Sequence, residues 1–174
     1  MQALLFLRGG HRWLLKSPQH LEQLPVLDAV FPGVVVVCTH RDPVPVVLSM
    51  LAMISYTARM HRSPVPVHEI AASWAERLQH MLNALVRDRD VIPPTRSIDV
   101  RFDEFMSDEL GVAQRIYDLA GESLTGPARA AIADYLEYHQ RGRLGSIATS
   151  ADMFGLDERD LPDRFARYCE RFLA

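Results

Sequence analysis

The chain has 174 residues, 48% of them hydrophobic and 24% charged, and carries a formal net charge of −3 at pH 7. That length supports one domain, over 1–174, with a sizeable core. The slightly acidic balance argues against general nucleic-acid or membrane-surface binding, while leaving room for a local basic pocket.

Taken in chain order, "RWLLKSP" reads as a short strand, Arg12 to Lys16, running into a helix with Ser17 as N-cap and Pro18 at the first helical position. Leu21, Leu24, Leu27 and Val30 follow at helical spacing, and "FPG" closes that element. "VVVVC" (34–38) is a β-branched run without alternation, as in a parallel strand covered on both faces. "RDP" opens a second helix, with Asp42 as N-cap and Val46, Val47, Met50, Leu51 and Ile54 as its apolar stripe. After a loop at Ser63–Val67, "HEIAASWAERLQHMLNALVRDRD" reads as a long amphipathic helix. "SIDVRF" then reads as a strand with Ile98, Val100 and Phe102 on one face. Two helices come next, "DELGVAQRIYDLAG" ended by Gly121 and "PARAAIADYLEYHQ" opened by Pro127. A basic loop punctuated by glycine, "RGRLGSIATS", leads to a last helix in "DERDLPDRFARYCERFL". Strands alternating with helices predict a three-layer α/β fold, a mostly parallel sheet flanked by helices. Cys38 and Cys169 lack metal or redox spacing, no apolar run is long enough to span a membrane, and "MQALLFLRGG" has no basic region ahead of its apolar stretch. A cytoplasmic protein with reduced thiols and no transmembrane segment is expected.

Chemistry concentrates where strands empty into helices. In open parallel sheets ligands sit beyond the carboxyl ends of the strands, against helix N-termini. "LLKSPQH" and "CTHRDP" each place a cation at such a junction, which suits an anion, phosphate above all. Ser49 lies seven residues after Asp42, two turns on, so its hydroxyl returns to the Arg41 side of the helix. Of the 19 basic residues 18 are arginine, leaving Lys16 as the one compact, movable ammonium. His20, in the first turn after Ser17, is placed to act as a neutral base beside it. Arg141 and Arg143 around Gly142 are what a phosphate-covering loop needs. The histidines have no metal-ligand spacing, so no metal is expected.

The stretch "RWLLKSPQHLEQLPVLDAVFPGVVVVCTHRDPVPVVLS", together with "VRFDEFMSD" and "EYHQRGRLGS", resembles the sulfotransferase superfamily, in particular its bacterial and mycobacterial branch. The resemblance implies a fold like that of the nucleotide kinases. It implies transfer of a sulfuryl group from 3′-phosphoadenosine 5′-phosphosulfate to an acceptor hydroxyl or amine, leaving adenosine 3′,5′-bisphosphate. By it, Arg41 and Ser49 would hold the 3′-phosphate, and Arg141, Gly142 and Arg143 would cover it. Lys16 would stabilise charge on the leaving phosphate oxygen, and His20 would be the base. Phe102 falls where relatives often carry a tyrosine near the adenine. The Ser/Thr/Gly-rich loop that cradles the 5′-phosphosulfate in the family has no counterpart, so the chain resembles the C-terminal two-thirds of such an enzyme. Low activity of this chain alone, and sheet edges that favour a homodimer, are the matching expectations. The acceptor is expected to be a small molecule or a lipid or glycolipid alcohol, with the stretch from Met53 to Met81 shaping its pocket. Two alternatives stand beside this reading. One is a kinase-like phosphoryl-transfer enzyme, which the lack of a "GxxxxGK[ST]" loop disfavours. The other is a non-catalytic module that keeps the nucleotide and no turnover.

Overall fold

Two short strands pair in parallel in the computed structural model, which describes residues 12–140, 142, 145 and 149–174. β1 (Val36–His40) and β2 (Ser97–Arg101) run in register from Val36 opposite Ser97 to His40 opposite Arg101. β1 starts two residues later than the valine run predicts. The Val34 N–H closes the Phe-Pro-Gly turn on the Phe31 carbonyl at 2.8 Å, and only Val36 reaches across, to the Arg96 carbonyl at 2.9 Å. The side chains of Cys38 and His40 are buried while Thr39 is exposed, so β1 is not covered on both faces along its length.

The expected strand at Arg12–Lys16 does not form; residues 12–17 have no regular structure and lead into a 3₁₀ turn, Pro18–Glu22. Ser17 occupies the N-cap in an extended conformation, but its hydroxyl is turned to the Gln19 side chain instead of a backbone N–H. A first α-helix, α1 (Leu24–Val30), follows separately, because the Gln23 N–H bonds the His20 carbonyl and ends the 3₁₀ turn. The carboxylate of Glu22 takes both guanidinium ends of Arg77 and ties this segment down.

α2 (Pro43–Ala58) begins where its proline pattern indicates, and α3 (Val67–Asp88) is the long amphipathic helix. The buried face of α2 is Pro43, Val47, Leu48, Leu51 and Ser55, which leaves Val46 exposed and turns the apolar stripe from the expected one. Leu51 and Ala71 of these two helices meet Phe154, Leu161 and Phe165 in one core. The last two lie on the closing helix, which spans Asp160–Phe172. β2 ends one residue early: Phe102 opens a short helix, α4 (Phe102–Ser107), whose Glu104 carboxylate accepts the Arg101 backbone N–H. α5 (Glu109–Leu119) is capped by Asp108 and stopped by Gly121, whose φ of 68° is a left-handed value that suits glycine. α6 (Gly126–Tyr138) and the closing helix, α7, complete the order.

The α/β architecture follows from this arrangement. A second core joins Cys38 of β1 to Leu24, Leu85, Ile92 and Tyr168, so α1, α3 and α7 lie over one side of the sheet. α5 packs against β2, whose Val100 points away from that core and is also buried.

Candidate functional site

Register decides what stands at the carboxyl end of the sheet. His40 faces Arg101, so the next residue of each strand, Arg41 and Phe102, leaves the sheet side by side. The Arg41 guanidinium lies 4.4 Å from the centre of the Phe102 ring. The contact is a cation–π one, and among the described residues the Arg41 guanidinium forms no ion pair. The sequence placed both residues in a nucleotide site, and the fold brings these two together.

The helix that follows contributes less than its position suggests. Asp42 caps α2 by accepting the Val44 N–H at 3.0 Å. Residues 43 and 45 are prolines and have no N–H to offer. Little backbone donor capacity is left in that first turn. An anion beside Arg41 would therefore depend on side chains. Ser49 is exposed on the same helix, about 10 Å along its axis from Asp42 and within about 20° of the same face. Its hydroxyl does not bond back to the helix, unlike that of Thr57, which reaches the carbonyls of Met53 and Ile54.

Lys16 and His20 form a second group. Lys16 is exposed in the irregular segment, and His20 is half-buried within the 3₁₀ turn. Among the described residues no hydrogen bond, ion pair or ring contact joins either to Arg41 or Phe102. The expected match between the two junctions fails here: the first has neither a strand before it nor a long helix after it, so no sizeable helix dipole acts on His20. Arg141 and Arg143 lie outside the described residues. Gly142 adopts φ 80° and Gly145 φ 84°, values that favour glycine, and the Gly145 N–H bonds the Gly142 carbonyl at 2.9 Å.

Sequence reasoning missed a buried polar network directly behind Arg41. His40 is only 1% exposed. Its Nε2 lies 2.7 Å from Asp99 Oδ1, and its Nδ1 lies 3.1 Å from the Tyr168 hydroxyl. The same Asp99 oxygen accepts Arg89 Nε at 2.8 Å, and Arg89 also donates to Ser97 and to the Ile92 carbonyl. Burial holds the His40 pKa below its ordinary value, with Asp99 pulling the other way. Burial pushes Asp99 up, but the hydrogen bonds from Arg89 and His40 outweigh it and keep the carboxylate below its usual range. Burial raises the Tyr168 hydroxyl to about 12 and the Cys38 thiol to about 11, so both stay protonated. The one signal in the sequence was an aspartate inside the apolar alternation of "SIDVRF"; its partners are too distant along the chain to be read from spacing.

A family model described as the sulfotransferase family matches residues 1–126. The chain belongs to the sulfotransferase family. Among curated relatives, the omega-hydroxy-beta-dihydromenaquinone-9 sulfotransferase Stf3 of Mycobacterium bovis is 25% identical over 143 residues, which cover 77% of this chain and 36% of the relative. Sulfotransferase STF9 from Mycobacterium avium superposes with a TM-score of 0.82 at 26% identity, covering 98% of this chain and 44% of that one. STF1 from Mycobacterium tuberculosis gives a TM-score of 0.70 at 26% identity, over 89% of this chain and 39% of its own. This sulfotransferase chain thus spans well under half the length of the relatives it matches. Membership makes it a transferase at the family level, which leaves the kinase-like alternative without support. No helix among the described residues is long and apolar enough to cross a membrane, and no group of His, Cys, Asp or Glu among them is arranged to hold a metal ion.

Proposed function

We propose that these residues build the 3′-phosphate half of a site for 3′-phosphoadenosine 5′-phosphosulfate, in a protein that transfers its sulfuryl group to an acceptor alcohol. The observation that carries the proposal is Arg41, exposed and held over the Phe102 ring at the carboxyl end of two parallel strands. Arg41 and the Ser49 hydroxyl bind the 3′-phosphate, a guanidinium fork and a neutral donor sharing its oxygens. Arg141, Gly142 and Arg143 close over it.

The donor nucleotide supplies an activated sulfuryl group on its 5′-phosphate. Lys16 places its ammonium against the leaving phosphate oxygen, where negative charge grows as the sulfur–oxygen bond breaks. His20 takes the proton from the acceptor hydroxyl as its oxygen bonds to sulfur. The products are a sulfate ester and adenosine 3′,5′-bisphosphate.

An apolar alcohol is the acceptor this surface favours. Leu14, 96% exposed, and Leu15, 45% exposed, directly precede Lys16. Met53, Tyr56 and Met60 add further exposed apolar area along and just past α2. The Stf3 relative is named for a hydroxylated menaquinone, which agrees in chemical kind with a lipid alcohol.

Calorimetric titration with adenosine 3′,5′-bisphosphate tests the nucleotide assignment. A hydrogen bond to a charged group is worth about 1.5–3 kcal/mol, so Arg41→Ala should weaken binding by roughly 10- to 150-fold. Equal binding by the wild type and the variant would remove Arg41 from the site.

A further inference from the structure

We propose that Tyr168 and His40 are positioning residues for Arg41, so that the C-terminal helix α7 sets selectivity for a nucleotide 3′-phosphate. The inference rests on the assignment of Arg41 to that phosphate.

With His40 neutral, the state its burial favours, the protons in the network have one consistent arrangement. Asp99 is ionised beside Arg89 and can only accept, so His40 must carry its proton on Nε2, 2.7 Å away. A singly protonated imidazole then presents Nδ1 as an acceptor, and the Tyr168 O–H at 3.1 Å must be its donor. A chain of donors thus runs from Tyr168 through His40 to Asp99, and Arg89 anchors its far end. Phe172, stacked on the His40 ring at 4.3 Å, blocks rotation of the imidazole.

This chain acts on one point of the backbone. His40 is the last residue of β1, and Arg41 is the first to leave the sheet. The direction in which Arg41 departs, and hence its seat on Phe102, is set by the hold on His40, part of which comes from Tyr168, 128 residues beyond it. General packing does not need the tyrosine oxygen; the ring alone supplies the contacts with His40 and Phe172. Removal of that oxygen should therefore disturb Arg41 more than the fold.

Tyr168→Phe keeps the ring and deletes the oxygen. The full-length protein and the variant are titrated with adenosine 3′,5′-bisphosphate and with adenosine 5′-phosphate, which lacks the 3′ group. We expect affinity for the bisphosphate to fall by about three- to tenfold, the worth of one hydrogen bond, while affinity for the monophosphate changes by less than about twofold. His40→Gln, whose amide N–H can still donate to Asp99 but whose carbonyl oxygen is not held by a ring at the Nδ1 position, should repeat the selective loss. Equal losses for both nucleotides, or none, in folded variants would overturn the inference and leave the pair a purely structural feature. Failure of both variants to give a cooperative melt would overturn it in the same way. Arg41→Ala separates this failure from that of the underlying assignment. If the wild type does not prefer the bisphosphate, or Arg41→Ala leaves the preference intact, Arg41 does not bind the 3′-phosphate and both statements fall.

Discussion

Asp99→Ala is the change from which the buried network should suffer most. One oxygen of this carboxylate serves both His40 and Arg89. Its removal leaves a guanidinium whose side chain is 9% exposed with no counter-charge, and an imidazole N–H with no acceptor. Breaking a fully buried ion pair costs about 3–5 kcal/mol. The Asp99 side chain is itself 42% exposed, so water can enter the space it leaves, and Arg89 retains its bonds to Ser97 and Ile92. A loss of about 2–3 kcal/mol is the resulting expectation, below the range for a fully buried pair. For a domain of this length that amounts to roughly 4–12 °C in melting temperature. Urea unfolding followed by circular dichroism would measure it, with Asp99→Asn, which keeps one acceptor oxygen, falling between the wild type and alanine. A difference under about 0.5 kcal/mol for Asp99→Ala, the spread of an ordinary surface change, would refute the view that this carboxylate neutralises Arg89 in the folded state.

Acid should destabilise the fold. His40 is held below its ordinary value by burial, so its neutral form contributes stability above the unfolded pKa of about 6.5, and that contribution is lost as pH falls below it. Asp99, also held low, adds a loss at more acid pH as its folded pKa is approached. Melting temperature should drop from pH 7.5 to pH 5.5 and drop less in His40→Gln; an increase towards pH 5.5 in the wild type would contradict the assignment. Arg41→Lys should weaken adenosine 3′,5′-bisphosphate by about tenfold or more, because an ammonium does not replace the two-pronged fork of a guanidinium; affinity within twofold of the wild type would argue against two-point contact. Cys38, 3% exposed with its thiol at about 11, should resist an aromatic disulfide reagent at pH 8 until the chain is unfolded, and burial also raises Cys169. Rapid labelling of native Cys38 would show that β1 opens.

Local chemistry made much of the fold legible. Asp42 with Pro43 and Pro45 can begin a helix and can hardly sit within one, and α2 starts there. Gly121 and Pro127 end and open helices for reasons of backbone geometry alone. What went wrong had non-local causes. "RWLLK" has the composition of a strand, but a strand needs a neighbour, and the described residues provide β1 with β2 only. Phe102 continues the alternation of Ile98 and Val100, yet Glu104 turns back to cap the Arg101 N–H and starts a helix instead. In the candidate site, Arg41 and Phe102 were legible singly because each follows a strand. Their contact depends on register, which no single segment contains. The His40 network was hidden altogether, since its members come from β1, β2, α7 and the turn after α3.

The way α2 begins bears on the kind of anion site proposed at Arg41. A glycine-rich phosphate loop works by presenting several backbone N–H groups that any tetrahedral anion can use. Here two prolines and the Asp42 cap have removed most of those donors, and the Asp42 carboxylate adds negative charge close to where an anion would sit. Whatever favourable field the helix dipole provides is partly offset on the spot. On the proposed assignment, recognition rests on one guanidinium held over Phe102, with a hydroxyl two turns away. Such a site depends on orientation more than on total charge, because a fork rewards an anion only when two of its oxygens lie in the plane of the donors. That dependence is why the interior behind Arg41 matters. A site built from backbone donors is as rigid as its helix, whereas one built on a single exposed arginine is only as well aimed as the residue before it, and that residue is the buried, three-fold constrained His40.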